Sequence, residues 1–148
     1  MGQSTVEALS AIGYERVHVE SDWYDGPRGG VADIAGAAHY FRAVHDYGEN
    51  DEFYVWPASP DALTMEREQW AIFVAWNDRY EARTTSVERH PGQGGIDARY
   101  DELEELLAPH RIVPADARRM QAEWRGTDQP QRYHLDGPAY LGRWRPPE

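Results

Sequence analysis

The chain has 148 residues and a formal net charge of −11, with 41% hydrophobic and 12% aromatic residues. Such a length and apolar content predict one domain, 1–148, burying roughly 68–70% of its unfolded surface, and argue against a disordered chain. All fifteen basic residues are arginine and there is no cysteine, which excludes disulfides, thiolate nucleophiles, cysteine-held metal centres, Schiff bases and a Walker-type phosphate loop.

The charge is spread unevenly. Residues 1–60 carry ten acids and three arginines, residues 61–108 eleven and five, and residues 109–148 five and seven, for local sums of −7, −6 and +2. An acidic body repels phosphates, so no nucleic-acid partner is expected. It favours solubility, and leaves room for a basic partner or for mimicry of nucleic-acid charge. No apolar run is long enough to span a bilayer, so no membrane partner is expected. The first seventeen residues lack a basic region and a continuous apolar stretch, and Val6 stands where a myristoylation signal after Gly2 wants Ser or Thr. These features predict a cytoplasmic protein.

Along the chain, Val6, Leu9 and Ile12 at helical spacing suggest a short leader helix in residues 1–13. Arg16 to Glu20 alternates polar and apolar residues and reads as a half-buried strand. Asp25-Gly26-Pro27 is a turn; Gly30 to Ala35 is a second strand, Gly36 a reversal and Ala37 to Asp46 a third. The loop from Tyr47 to Glu52 leads to a fourth strand, Phe53 to Trp56. Ser59-Pro60 is a cap followed by a first-turn proline. From there to residue 82, Leu63, Trp70, Phe73, Val74, Trp76 and Tyr80 form an apolar face. Asp61, Glu66 and Glu68 near the start, with Arg79 and Arg83 near the end, suit the helix dipole. A loop at His90 to Gly95 precedes a second helix, Ile96 to Leu107, and Pro114 to Trp124 is expected to form a third. Arg132 to Leu135 and Tyr140 to Trp144 are late strands that rejoin the sheet, or a wrapped tail.

These elements predict an α+β fold: a small curled antiparallel sheet or partly open barrel packed against one long helix, with two shorter helices and a C-terminal extension. Residues 14–58 would be the meander, 60–108 the helical layer, and 109–148 the short helix with strands or tail.

The stretch Trp23 to Phe41, WYDGPRGGVADIAGAAHYF, resembles a family of small bacterial proteins of no established function, marked by a Tyr-Asp-Gly-Pro-Arg turn, a small-residue strand, a glycine reversal and a Pro-His or Ala-His pair. The similarity continues through Asp51 to Pro57, Glu68 to Ile72, Thr84-Thr85 and His90-Pro91, about two-thirds of the chain. Gly29-Gly30 stands where the family has Ser-Gly, and Ala38 where it often has proline. The resemblance implies a unified domain and carries no functional residues.

Three kinds of site can be drawn from these residues. In the first, Asp25, Arg28 and His39 line a cleft beside Trp23 and Tyr24. Arg28 and the Gly29 and Gly30 amides would clamp an anion, and His39 and Asp25 could serve as acid and base. The plainer alternative has Asp25 capping its turn, Arg28 paired with a surface acid, and His39 hydrogen-bonded in the core. A metal site is the second. It is not expected, because the six histidines form no ligand motif, His18 with Glu20 and His134 with Asp136 are only same-face pairs, and residues 46–57 depart from a calcium loop. Third, Trp23, Tyr24, Tyr47, Tyr54, Trp56, Tyr133, Tyr140 and Trp144 form an interaction surface or complete the core, with the core favoured for Trp56, Trp70 and Trp76. No serine has a nucleophile-elbow context. The expected function is a ligand- or protein-binding module, monomeric or a small homo-oligomer, taking a small anionic ligand or a protein partner without a cofactor. The alternative is a small cofactor-free enzyme using His39 and Asp25 on an anionic small molecule.

Overall fold

The computed structural model describes residues 5–23, 26–45 and 52–147. The predicted turn residues Tyr24 and Asp25, Asp46 at the end of the predicted third strand, and Tyr47 to Asp51 of the acidic loop lie outside the described residues. The fold is α+β. Six antiparallel strands close into a barrel in the order β1 (Glu15–Trp23), β2 (Pro27–Ile34), β3 (Ala37–Ala43), β4 (Glu52–Pro57), β5 (Arg118–Gly126) and β8 (Tyr140–Arg145), which returns to β1. A two-stranded ribbon, β6 (Tyr133–His134) and β7 (Gly137–Pro138), precedes the closing strand. Among the described residues there are three α-helices, α1 (Val6–Ala11), α2 (Pro60–Glu81) and α3 (Ala98–Leu107).

Two expectations need correction. The sheet is closed rather than curled or partly open, because β8 pairs with β5 on one side and β1 on the other. The predicted third helix over residues 114–124 is instead β5. Arg, Gln, Ala and Glu there favour a helix locally, but Met120, Ala122 and Trp124 alternate with polar residues and pack into the barrel. Pairing to both neighbouring strands overrides the propensity. Outward ion pairs reinforce that pairing, Arg119 with Glu52 at 2.6 Å and Arg143 with Glu123 at 3.2 Å.

The barrel is filled by side chains. Phe41, Phe53, Trp124 and Trp144 pack with ring centroids 5.4–5.7 Å apart, and Tyr140 adds a further edge against Trp124. A six-stranded barrel packed with this much aromatic volume is a core and not a vessel. Gly142, opposite Trp124 across β5–β8, makes the packing possible. A Cβ there would stand 2.7 Å from Trp124 Cζ3 and 3.3 Å from Trp144 Nε1. Gly142→Ala is expected to cost about 1–3 kcal/mol through overpacking; urea melts should show a lower midpoint at unchanged slope, and an unchanged midpoint would contradict the packing.

A second apolar layer lies outside the barrel. Val19, Val31, Tyr40 and Trp56 face Ala62, Trp70 and Val74 of α2. The helix starts where the sequence predicts, with Ser59 Oγ accepting from Ala62 N at 3.1 Å and Pro60 in the first turn. Trp56, Trp70 and Trp76 are core residues, as expected. α3 begins at Ala98 rather than Ile96, because Asp97 caps it by accepting from Tyr100 N. Its Leu103 and Leu107 are buried, whereas Leu106 is exposed.

Candidate functional site

A groove runs between the outer face of β1–β3 and the helices α2 and α3. Two adjoining hollows of about 310 and 410 Å³ form it and share Val19, Ser21, Asp22, Glu66, Glu104 and Arg111. One end is lined by Arg28, Gly29, Gly30 and Arg42, the other by Trp70, Phe73, His90, Tyr100 and Tyr133.

The wall between the two ends is a polar network built around the buried Glu66. Glu66, 3% exposed on α2, accepts from Arg111 Nε and Nη2 at 2.9 Å each and from the Tyr40 hydroxyl at 2.8 Å. Arg111 also donates to Gln69 Oε1 at 2.7 Å and Glu104 Oε1 at 3.1 Å, and Gln69 Nε2 donates to Glu104 Oε1 at 2.9 Å. Burial alone would lower the Arg111 pKa; Glu66 and Glu104 outweigh it and raise the pKa above its ordinary value. Burial and the Glu66 charge push Tyr40 up as well, so its hydroxyl stays protonated and donating. A network this fully satisfied is a rigid wall.

At the arginine end the glycines let neighbouring atoms approach the backbone closely. A Cβ at Gly29 would meet Ser21 Oγ at 3.0 Å, and one at Gly30 would meet the Val19 carbonyl at 2.1 Å. Arg42 pairs with Gly29 in the β2–β3 register, is exposed, and makes no ion pair among the described residues.

At the aromatic end, Glu20 accepts from the Tyr140 hydroxyl at 2.9 Å and the Tyr133 hydroxyl at 3.3 Å. Burial raises the Glu20 pKa, against the pull of those hydroxyls and of Arg132. Burial and the Glu20 charge push Tyr133 up to about 12. A carboxyl whose pKa is higher folded than unfolded favours the fold below its unfolded value and loses that contribution as pH rises through the folded one. Glu20→Gln cannot ionise, so its stability relative to wild type is expected to be greater at about pH 7 than at about pH 4. Thermal melts at both values check this, and a difference independent of pH would contradict it.

The residues expected to share one cleft are separated. Arg28, 5% exposed, lines the groove with Gly29 and Gly30. His39, 8% exposed, does not line it; it pairs with Ala32, and its Nδ1–H donates to the Ala37 carbonyl at 2.8 Å. Continuing the β2–β3 register sets Arg28 opposite position 43, four residues from His39, or roughly 13 Å of strand. Tyr24 and Asp25 lie outside the described residues. Trp23 is 45% exposed and lines the aromatic end. Tyr140 is buried, and Trp144 packs into the barrel core. His18 and Glu20 do not act as a pair, because His18 Nε2–H donates to Asp33 at 2.8 Å while Glu20 turns to the tyrosines. Among the described residues, no three His, Cys, Asp or Glu side chains are placed to hold a metal ion.

Glu66, Arg111 and Tyr40 were not singled out as site residues from the sequence. For Glu66 a signal existed, since it lies on the apolar side of α2, four residues before Trp70; the dipole pattern absorbed it. Arg111 carried none, because its role depends on α3 packing beside α2. Comparison with family models, curated proteins and solved structures finds no match to this chain.

Proposed function

We propose that the protein is a binding module whose groove takes a small anionic molecule at its arginine end. The observation that carries this reading is Arg42: a guanidinium without an ion pair among the described residues, beside Arg28 and over two strand glycines. A planar guanidinium that can pair bidentately is an element of anion recognition. The Glu66–Arg111 wall supplies rigidity that pre-organises the site. A small ligand is favoured over a protein partner, because Tyr140 and Trp56 of the expected aromatic surface are buried and of that set only Trp23 is strongly exposed among the described residues. Acid–base chemistry at His39 draws no support from the groove, which His39 does not line.

Calorimetric titration with inorganic phosphate and with acetate tests the reading. Wild type is expected to bind at least one of them, and Arg42→Gln to weaken that binding at least fivefold. Equal affinity in the variant, or no binding of either anion by wild type, would overturn it.

A further inference from the structure

Two aromatic faces at the other end of the groove already hold a cation. The Arg132 guanidinium carbon lies 4.4 Å from the Trp23 ring centroid and 5.1 Å from that of Tyr133. Arg132 Nη2 also stands 3.9 Å from Glu20 Oε2. Aromatic faces joined to a carboxylate around a positive group are how ammonium ions are recognised. Trp23, Tyr133 and Glu20 line the groove as well, where Phe73 and Trp70 add rings centred 5.0 and 5.6 Å from Tyr133.

The charge of this end suits a cation. Glu20, Asp22, Glu66 and Glu104 line it against two arginines, Arg111, committed to the Glu66 carboxylate through two hydrogen bonds, and Arg132, held beside Glu20. His90 adds no opposing charge at neutral pH. Gly92 N–H donates to its Nδ1 at 2.9 Å, so the ring proton sits on Nε2, and burial lowers its pKa. The ring lies 5.5 Å from Phe73 and serves as part of the wall.

We propose that the aromatic end of the groove is a subsite for a tertiary or quaternary ammonium group on a small molecule. It shares a central wall with the proposed anion site but rests on Trp23, Phe73 and Tyr133, which do not line that site, so either can fail alone. Together the two ends select a dipolar ligand, negative towards Arg42 and positive towards Phe73 and Tyr133.

Tryptophan fluorescence of the full chain titrated with choline is expected to saturate. The uncharged carbon isostere 3,3-dimethylbutan-1-ol should bind at least fivefold more weakly. Phe73→Leu should weaken choline at least fivefold and leave phosphate binding unchanged. No saturation by choline, or equal binding of the alcohol, overturns the ammonium subsite; because that comparison uses wild type, a folding defect in Phe73→Leu cannot obscure it. Choline binding without phosphate or acetate binding supports the subsite and removes only the anion reading.

Discussion

Arg111→Met is expected to lose about 3–5 kcal/mol of stability at neutral pH, the cost of leaving a buried carboxylate without its cation. Glu66 is almost fully enclosed, and two of its hydrogen bonds come from Arg111; only the Tyr40 hydroxyl would remain. Glu66→Gln combined with Arg111→Met should recover much of the loss at neutral pH, since a neutral amide oxygen can still accept from Tyr40. Urea melts of both variants at neutral pH measure this. A single-variant loss below about 1 kcal/mol, or no recovery in the double variant, would show that the wall is not the paired network described.

Phe53→Ala should cost about 3–5 kcal/mol for lost transfer energy and the cavity left behind. Phe53 is wholly buried at the centre of the barrel, with Phe41, Trp124 and Trp144 at 5.6–5.7 Å. Such large rings cannot collapse into the gap without leaving their edge-to-face arrangement. Thermal and urea unfolding read the loss directly. A cost under about 1 kcal/mol would mean that the barrel interior is loosely filled, and would reopen it as a place for a ligand.

What could be read in advance was what local chemistry determines. The meander from β1 to β4 followed from alternation and from Gly36 at φ +81°, and α2 followed from its serine cap and apolar face. Closure could not be read the same way. β5 carries helix-favouring residues, and only its partners β4 and β8, the latter from the chain's far end, make its two-residue period decisive. The site was legible in part. Gly29, Gly30 and Arg28, expected beside a cleft, line one of the hollows. His39 shared a sequence neighbourhood with Arg28 but not a position, because antiparallel register carries it towards the other end of the strand pair. Glu66, Arg111 and Glu20 take their meaning from contacts across 45 to 120 residues, as in the Arg111–Glu66 and Tyr140–Glu20 bonds, which no local pattern encodes.

Amide chemical-shift mapping with phosphate and choline added separately tests the groove most directly. Phosphate should move resonances at 28–31 and 40–42, and choline those at 20–23, 70–73 and 133, while Phe53, Ala122 and Trp144 inside the barrel stay still. Shifts concentrated on the barrel interior, or on His39 apart from the groove, would contradict this account.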